Sequence, residues 1–517
     1  MKQKTWIISA LMCAMVIMVC LGVLHLLKEM TENHAPSGTV AEESTDHTEP
    51  EIDFAEEEET KEDIAETGSE EEESDVPVER EEGYYGWKQE LPQIFPSVPE
   101  EVPYEPPRLI LATDLHYQSA QADDGGAAFQ LFVERGDGKV VEYLPELLEA
   151  FMDQVIEEHP SALVLSGDIT MNGEKINHEE LARGLMRVQD AGIPVLIVPG
   201  NHDINNPHAA VYFGEEKAET DPVTPEEFYN IYHMYGCDQA ISRDDASLSY
   251  VYQLDERNRL LMLDTCQYEP KNMVEGQLKV ETLRWADEQL KKAKEDGMNV
   301  LPIGHHNLLA QSRMYTTQCA MNNNGDVIEL FQKYELPLYL SGHLHVQRIR
   351  KHKAEPGAAD DSYGIMEIVT DALSIPPCQY ALLEWKRDGS MEYSTKAVDV
   401  SAWAARTGSQ NPDLLDFEGW SERYIQKLII DQIRGVVKNL GNDVEHSMAE
   451  VYASVYIDYY AGRRIDAKGI RSSKGYRWWE RNMPDSYLLK ELDAMIDDSD
   501  RDNNYMLLPE VNAAAEE

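Results

Sequence analysis

Ile197-Val198-Pro199-Gly200-Asn201-His202-Asp203 is an apolar run that ends abruptly in three polar side chains suited to metal or phosphate chemistry. Residues 195–198 read as a buried strand: a β-branched run suits a strand covered on both faces, and Pro199-Gly200 stops it. Gly200-Asn201-His202-Asp203 is then the loop at its carboxyl end. In open α/β sheets the ligand crevice lies outside the carboxyl ends of the strands, where this Asn, His and Asp stand. The same residues also suit an ordinary turn whose Asn and Asp side chains bond the local backbone. The surrounding chain decides between the two.

On both sides of the loop, strand and helix patterns alternate. Residues 109–112 predict a strand ending in Thr113-Asp114-Leu115-His116, residues 144–158 a helix, and residues 162–165 a strand ending in Ser166-Gly167-Asp168. A helix over 179–191 leads into a strand over 193–198. Such alternation implies βαβ units, a mainly parallel sheet and right-handed crossovers. Further on, 249–254 and 259–263 predict strands joined by a polar turn, the second ending at Asp264, followed by a helix over 280–294. Residues 300–303 predict a strand ending in Gly304-His305-His306, and residues 336–340 one ending in Ser341-Gly342-His343-Leu344-His345. Gly136-Asp137-Gly138 reads as a hairpin turn in a small insertion beside the first loop. Strands over 365–369, 380–384 and 391–394 would complete a second sheet.

One His after one strand is usually structural. Five strand ends carrying Asp, Asn or His are not explained by packing, and a pair of metal ions explains them. Asp114 and His116 flank Leu115, so both side chains can turn to one cation, and His343 and His345 repeat that spacing. Asp168 can bridge two cations through its two charged oxygens, and Asn201 offers a neutral carbonyl oxygen. Mixed imidazole and oxygen donors suit manganese, iron, zinc or cobalt rather than calcium, and the lack of cysteine among them argues against structural zinc.

Asp114-x-His116, Gly167-Asp168, Gly200-Asn201-His202-Asp203, Gly304-His305 and Gly342-His343-x-His345, in this order, resemble the calcineurin-like metallophosphoesterase superfamily. The resemblance implies an α/β fold, α+β by some schemes: a four-layer β-sandwich flanked by helices, with two metal ions (Mn, Fe or Zn) at the strand ends. It implies Asp114, His116, Asp168 and His345 around one metal and Asp168, Asn201, His305 and His343 around the other, with Asp168 as the bridge. His202 is left for the substrate, as transition-state stabiliser or proton donor, the alternative being that it only orients its own loop. Asp203 either orients His202 or caps a following element, and His306 is expected to face substrate. Two such cations acidify water and neutralise phosphoryl oxygens, which implies phosphoester hydrolysis. Protein phosphatases of the superfamily carry an acidic residue and an Arg shortly after Gly-Asp. Here Gly167-Asp168-Ile169-Thr170-Met171-Asn172-Gly173 looks more like the bacterial, phosphodiesterase-like branch.

The remaining chain bounds the setting. With 517 residues there is room for one large or two moderate domains, and the formal net charge of -51 gives no basic footprint for a nucleic-acid polymer. Lys2 and Lys4 precede an apolar run over residues 6–27, long enough to span a hydrocarbon core roughly 30 Å thick. A cleaved signal peptide is the competing reading, but the run exceeds the usual apolar length and lacks a small-x-small site. Residues 42–82 are about half acidic, which predicts a disordered tether. Cys237, Cys266, Cys319 and Cys378 have no paired-ligand spacing, leaving free thiols or disulfides open. Beyond residue 415 the pattern becomes helical, over 424–440, 447–460 and 488–496. There Arg463, Arg464 and Arg477-Trp478-Trp479 either line a substrate cleft or pack helices.

The expected organisation is a cytoplasmic stub (1–5), a transmembrane helix (6–27), an acidic linker (28–105), a metallophosphoesterase domain (106–400) and a helical C-terminal region (401–517). The expected protein is a single-pass, cell-membrane phosphoesterase with its catalytic domain outside, acting most readily on phosphodiesters of nucleotide or envelope type. A phosphomonoesterase of the same fold and a non-catalytic metal-binding surface module are the alternatives.

Overall fold

The computed structural model describes residues 104–352 and 364–508. The expected membrane helix and acidic linker lie outside them, and among the described residues no helix is long and apolar enough to cross a membrane.

Three adjacent strands, β1 (Arg108–Ala112), β2 (Ala162–Ser166) and β3 (Val195–Val198), run parallel, Leu111 opposite Val164 and Leu165 opposite Ile197. Their side chains alternate between two buried environments. Leu109, Leu111, Ala162, Val164, Leu196 and Val198 face a core shared with the second sheet, whereas Ile110, Leu163, Leu165, Val195 and Ile197 face helices. At roughly 1.5–3 kcal/mol for each large side chain withdrawn from water, this double burial explains the near-continuous apolar runs. The helix Leu144–Glu158 covers the outer face. Its Pro145 stands in the first turn where no amide partner is needed, Leu147, Leu148, Phe151 and Val155 recur at helical spacing, and His159 ends it in the left-handed region before Pro160.

A small hairpin of β4 (Ala210–Phe213) and β5 (Glu216–Glu219) stands apart. The second sheet has seven strands: β6 (Ser242–Arg243), β7 (Tyr250–Gln253), β8 (Asn258–Leu263), β9 (Asn299–Gly304), β10 (Leu338–Ser341), β11 (Arg348–Lys351) and β12 (Met366–Val369). Its order is β11-β12-β10-β9-β8-β7-β6, with β8, β9, β10 and β12 parallel. Ala286 and Leu290 of the helix Val280–Glu295 and Val327 and Phe331 of the helix Asn324–Lys333 cover its outer face. The layers are therefore helix, sheet, sheet, helix.

The structure corrects three expectations. β13 (Gln379–Trp385) and β14 (Met391–Ala397) do not join the second sheet: β13 pairs antiparallel with β1, and with β15 (Tyr505–Leu508) the first sheet has the order β15-β14-β13-β1-β2-β3. The C-terminal region is not purely helical, because β15 (Tyr505–Leu508) pairs with β14. Gly136-Asp137-Gly138 joins no pair of strands but follows the helix Ala127–Glu134. The C-terminal helices Phe417–Val436, Asn442–Tyr460, Lys474–Asn482 and Tyr487–Asp498 build a further core, including Ile425, Ile429, Met448, Tyr452, Tyr456, Trp479 and Leu492, that they share with Tyr315, Leu344 and Val346 of the preceding domain. Trp479 donates to the Met448 carbonyl of a neighbouring helix and buried Tyr459 to Ser312 Oγ in the segment after β9, so both aromatics are committed to packing rather than to a cleft. The four cysteines are free thiols.

Candidate metal centre

The loops after β1, β2, β3, β9 and β10 meet at one end of the sandwich. Asp114, His116, Asp168 and His345 each offer a ligand atom within 4.8 Å of one another, all buried, and His305, His306 and His343 form a second such group. His116 Nε2 stands 3.1 Å from His345 Nε2, and Asp114 Oδ1 lies 3.3 Å from the latter. Asp168 Oδ2 stands between the groups, 3.9 Å from His116 Nε2 and 3.3 Å from His305 Nε2. Asn201 Oδ1 is 3.2 Å from His305 Nε2.

His306 departs from expectation. Thr265 Oγ1 at 2.8 Å and the Val274 carbonyl at 3.0 Å occupy both of its ring nitrogens, so it has none left for a substrate or a metal. The expected substrate contact is withdrawn, and it is Asp168 Oδ2 and Asn201 Oδ1 that stand beside His305 Nε2, at 3.3 and 3.2 Å.

The other side chains are aimed. Thr113 Oγ1 and the His343 amide donate to Asp114 Oδ2, at 2.8 and 3.0 Å, leaving buried Oδ1 without a hydrogen-bond donor. The His202 amide donates to Asp168 Oδ1 at 2.7 Å, leaving Oδ2 inward. His305 donates from Nδ1 to the Ser166 carbonyl at 3.0 Å, and His343 from Nε2 to the Gln318 carbonyl at 2.9 Å. Such bonds fix the tautomer and turn the other nitrogen, with its lone pair, to the centre. Imidazole nitrogens 3.1 Å apart and an undonated buried carboxylate oxygen beside them are a poor arrangement without a cation among them and a good one with it. The residues thus fit the two-metal group the family implies.

The backbone is strained where it must be. Asp114, His116, Asp168, His343 and His345 all have positive φ, between 46° and 74°. Left-handed geometry costs a non-glycine residue of order 1 kcal/mol, and such residues cluster where function over-determines the chain. Two motif glycines are required by space: a Cβ on Gly200 would lie 2.1 Å from the Asp168 amide nitrogen, and one on Gly342 2.0 Å from Thr113 Oγ1.

Burial alone would raise the Asp168 carboxyl, but the imidazoles of His305 and His202 outweigh it and hold it well below the usual range. Burial likewise opposes charge on His305, yet without a cation Asp168 and Asp114 raise that ring to about 9, and a bound metal would take the place of that proton.

His202 stands edge-on to His116, ring centroids 4.8 Å apart, with Nδ1 2.8 Å from the Met171 carbonyl and 3.1 Å from Asn172 Oδ1. Nε2 is the atom left free. Asp203 does not touch that ring: it accepts from the amides of Gly200, Ile169 and Thr170 and from Thr170 Oγ1, tying the loops after β2 and β3 together. Burial raises its carboxyl to about 7. Asp264 likewise serves its own loop, accepting from the Leu248 and Cys266 amides and Tyr268 Oη. Asn172 and Gln318 were invisible as contributors in sequence, since one acts through a side-chain amide without a motif and the other through its backbone.

Residues 107–347 match the sequence model of the calcineurin-like phosphoesterases, so this domain belongs to that family and is a metal-dependent phosphoester hydrolase. Residues 399–502 match a second model, described as the C-terminal domain of cyclic nucleotide phosphodiesterase. No curated protein matches the chain. Among solved structures, a dimetal phosphatase from Danio rerio is 16% identical over 57% of this chain and 97% of its own, with a TM-score of 0.41. The purple acid phosphatase PPD1 from yellow lupin (Lupinus luteus) seeds is 12% identical over 57% of this chain and 52% of its own, with a TM-score of 0.38. PhoD is 10% identical over 56% and 66%, with a TM-score of 0.33.

Proposed function

We propose that the protein is a phosphodiesterase acting on a nucleotide-type diester, with Asp114, His116, Asp168 and His345 holding one metal ion and Asp168, Asn201, His305 and His343 a second. The single observation that carries this reading is Asp168 Oδ2, one inward oxygen facing donor atoms of both groups. The preference for a diester is supported by the match of residues 399–502 to the C-terminal domain of cyclic nucleotide phosphodiesterase.

Bound cations of the manganese, iron or zinc type would supply positive charge to the phosphoryl oxygens and activate water at neutral pH. The chain supplies the rest. Asp168 and Asn201 set the spacing of the two groups, and buried His305 and Asp114 exclude bulk water around them. His202 keeps Nδ1 on the Met171 carbonyl and presents Nε2 to the substrate. A protonated His202 donates from Nε2 to the departing ester oxygen, the proton moving from ring to alkoxide as the P–O bond breaks. The apolar run over residues 6–27 supports placing this enzyme on a membrane with the catalytic domain outside the cell.

The test compares a chromogenic phosphodiester, its monoester and a cyclic nucleotide after loading with manganese, iron or zinc. Diester turnover is expected, abolished by chelation and by Asp168→Ala, and reduced by roughly 100-fold or more in His202→Ala. Monoester turnover exceeding diester turnover under every metal would refute the diesterase reading.

A further inference from the structure

His305 and His343 each give their outer ring nitrogen to a backbone carbonyl, Ser166 and Gln318 respectively. His345 is handled differently. Its Nε2 faces Asp114 Oδ1, while its Nδ1 faces a carboxylate, Asp137 Oδ2, at the ion-pair distance of 3.5 Å. The Lys139 ammonium lies 2.6 Å from that same oxygen.

The loop that delivers Asp137 is held from one side by the C-terminal helices. Gln432 donates to the Gly136 carbonyl at 3.1 Å, Tyr456 to the Asp137 carbonyl at 3.4 Å and Tyr424 to the Lys139 carbonyl at 3.0 Å. Gly138, with φ +109°, lies so close to Ile425 that a Cβ would come within 2.3 Å of its Cδ1. Each residue from Gly136 to Lys139 is therefore set by a side chain of Phe417–Val436 or Asn442–Tyr460, helices that match a different family model from the one covering Asp137.

We propose that Asp137 is a positioning residue of the metal centre and that the C-terminal helices, by pinning its loop, hold it on His345. The proposal rests on reading His345 as a metal ligand. A carboxylate at Nδ1 keeps the proton there, orients the ring and makes Nε2 a better donor, and loss of such a partner lowers metal affinity by about 10–100-fold. The helical region is then part of the centre's construction: removing its grip loosens one of the two metal sites.

Metal binding, free of any turnover assay, tests this. Full-length wild type, His345→Ala, Asp137→Asn and the double variant Tyr424→Phe/Gln432→Ala are titrated with cobalt(II) against a chromogenic chelator, beside thermal melts of the metal-free proteins. Wild type should take up two ions and His345→Ala one. Asp137→Asn should keep two, with one affinity weakened by about 10–100-fold and the other unchanged. The double variant should weaken the same site by a smaller factor. If His345→Ala binds as wild type does, the ligand reading fails. If His345→Ala loses an ion while Asp137→Asn binds as wild type, or weakens both sites together with a lowered melting temperature, the positioning role fails. Unchanged affinities in the double variant would overturn the role given to the helices.

Discussion

Replacing Glu491 by Gln should make the protein more stable at neutral pH and remove much of its pH dependence. Glu491 lies on Tyr487–Asp498 with 3% exposure, its Oε2 accepts from Tyr452 Oη at 3.0 Å, and no cation pairs with it among the described residues. Burial without a counter-charge raises its carboxyl from 4.5 to about 8. Below pH 4.5 folded and unfolded chains both hold the proton, so the group contributes no penalty there. Between 4.5 and about 8 the unfolded chain ionises while the folded one stays protonated, and stability falls as pH rises by up to about 1.4 kcal/mol per unit. At pH 7 the accumulated penalty is about 3 kcal/mol, a large part of an ordinary domain's stability. Gln keeps an acceptor for Tyr452 and has no proton to lose. Urea unfolding followed by near-ultraviolet circular dichroism at pH 5, 6, 7 and 8 would compare the two proteins. Convergence at pH 5 and a widening advantage for Glu491→Gln toward pH 8 is expected. Parallel curves across this range would refute the reasoning, because they would mean that Glu491 ionises in the folded protein as it does in the unfolded chain.

Gly200→Ala should destabilise by roughly 1–3 kcal/mol and lower occupancy of both metal sites, since its Cβ would press on the amide nitrogen and Oδ1 of the shared Asp168; melting curves and metal analysis check this, and two full sites would contradict it. Glu367 accepts from the Leu308 and Leu309 amides, Gln311 and Ser341, bracing the loop after His305. Glu367→Gln turns an amide NH2 toward two of these donors and should cost about 2–4 kcal/mol in urea unfolding, with neutral stability arguing against that bracing role.

The strands that carry the centre were legible because they are buried twice over. β1, β2 and β3 have apolar side chains on both faces, so each is a continuous run with a sharp polar end, and the end is where the chemistry stands. The helix Leu144–Glu158 was legible to the residue, since Pro145 and Pro160 bracket an unbroken apolar periodicity. Which sheet β13 and β14 would join was not, because sheet membership is a contact between distant segments and leaves no periodicity of its own. His306 was misread for a local reason: successive side chains at the end of an extended strand point opposite ways, so when His305 turns to the centre its neighbour turns to Thr265. Asp137 was hidden in Gly-Asp-Gly, which has the composition of a turn, and only the positions of Tyr424, Gln432 and Ile425 show that the segment is pinned by distant helices and that Gly138 serves close packing.

These successes and failures have one cause. The centre is assembled by the fold, and four of its donors have their other atom already committed to protein: Asp114 Oδ2 to Thr113 and the His343 amide, Asp168 Oδ1 to the His202 amide, His305 Nδ1 to Ser166, His343 Nε2 to Gln318. A small zinc domain relies on its metal to bring its ligands together, whereas here two sheets and their covering helices hold them and the positive-φ residues absorb the strain. The donor residues had to be recognisable in sequence, because only a few side chains carry a metal-donor atom, and here Asp, Asn and His fill those places. The groups that aim them did not, because a backbone carbonyl such as that of Ser166 or Gln318 can come from any residue type the fold brings there. A motif therefore shows which atoms can hold the metals, and the packing of the whole chain, C-terminal helices included, decides how firmly.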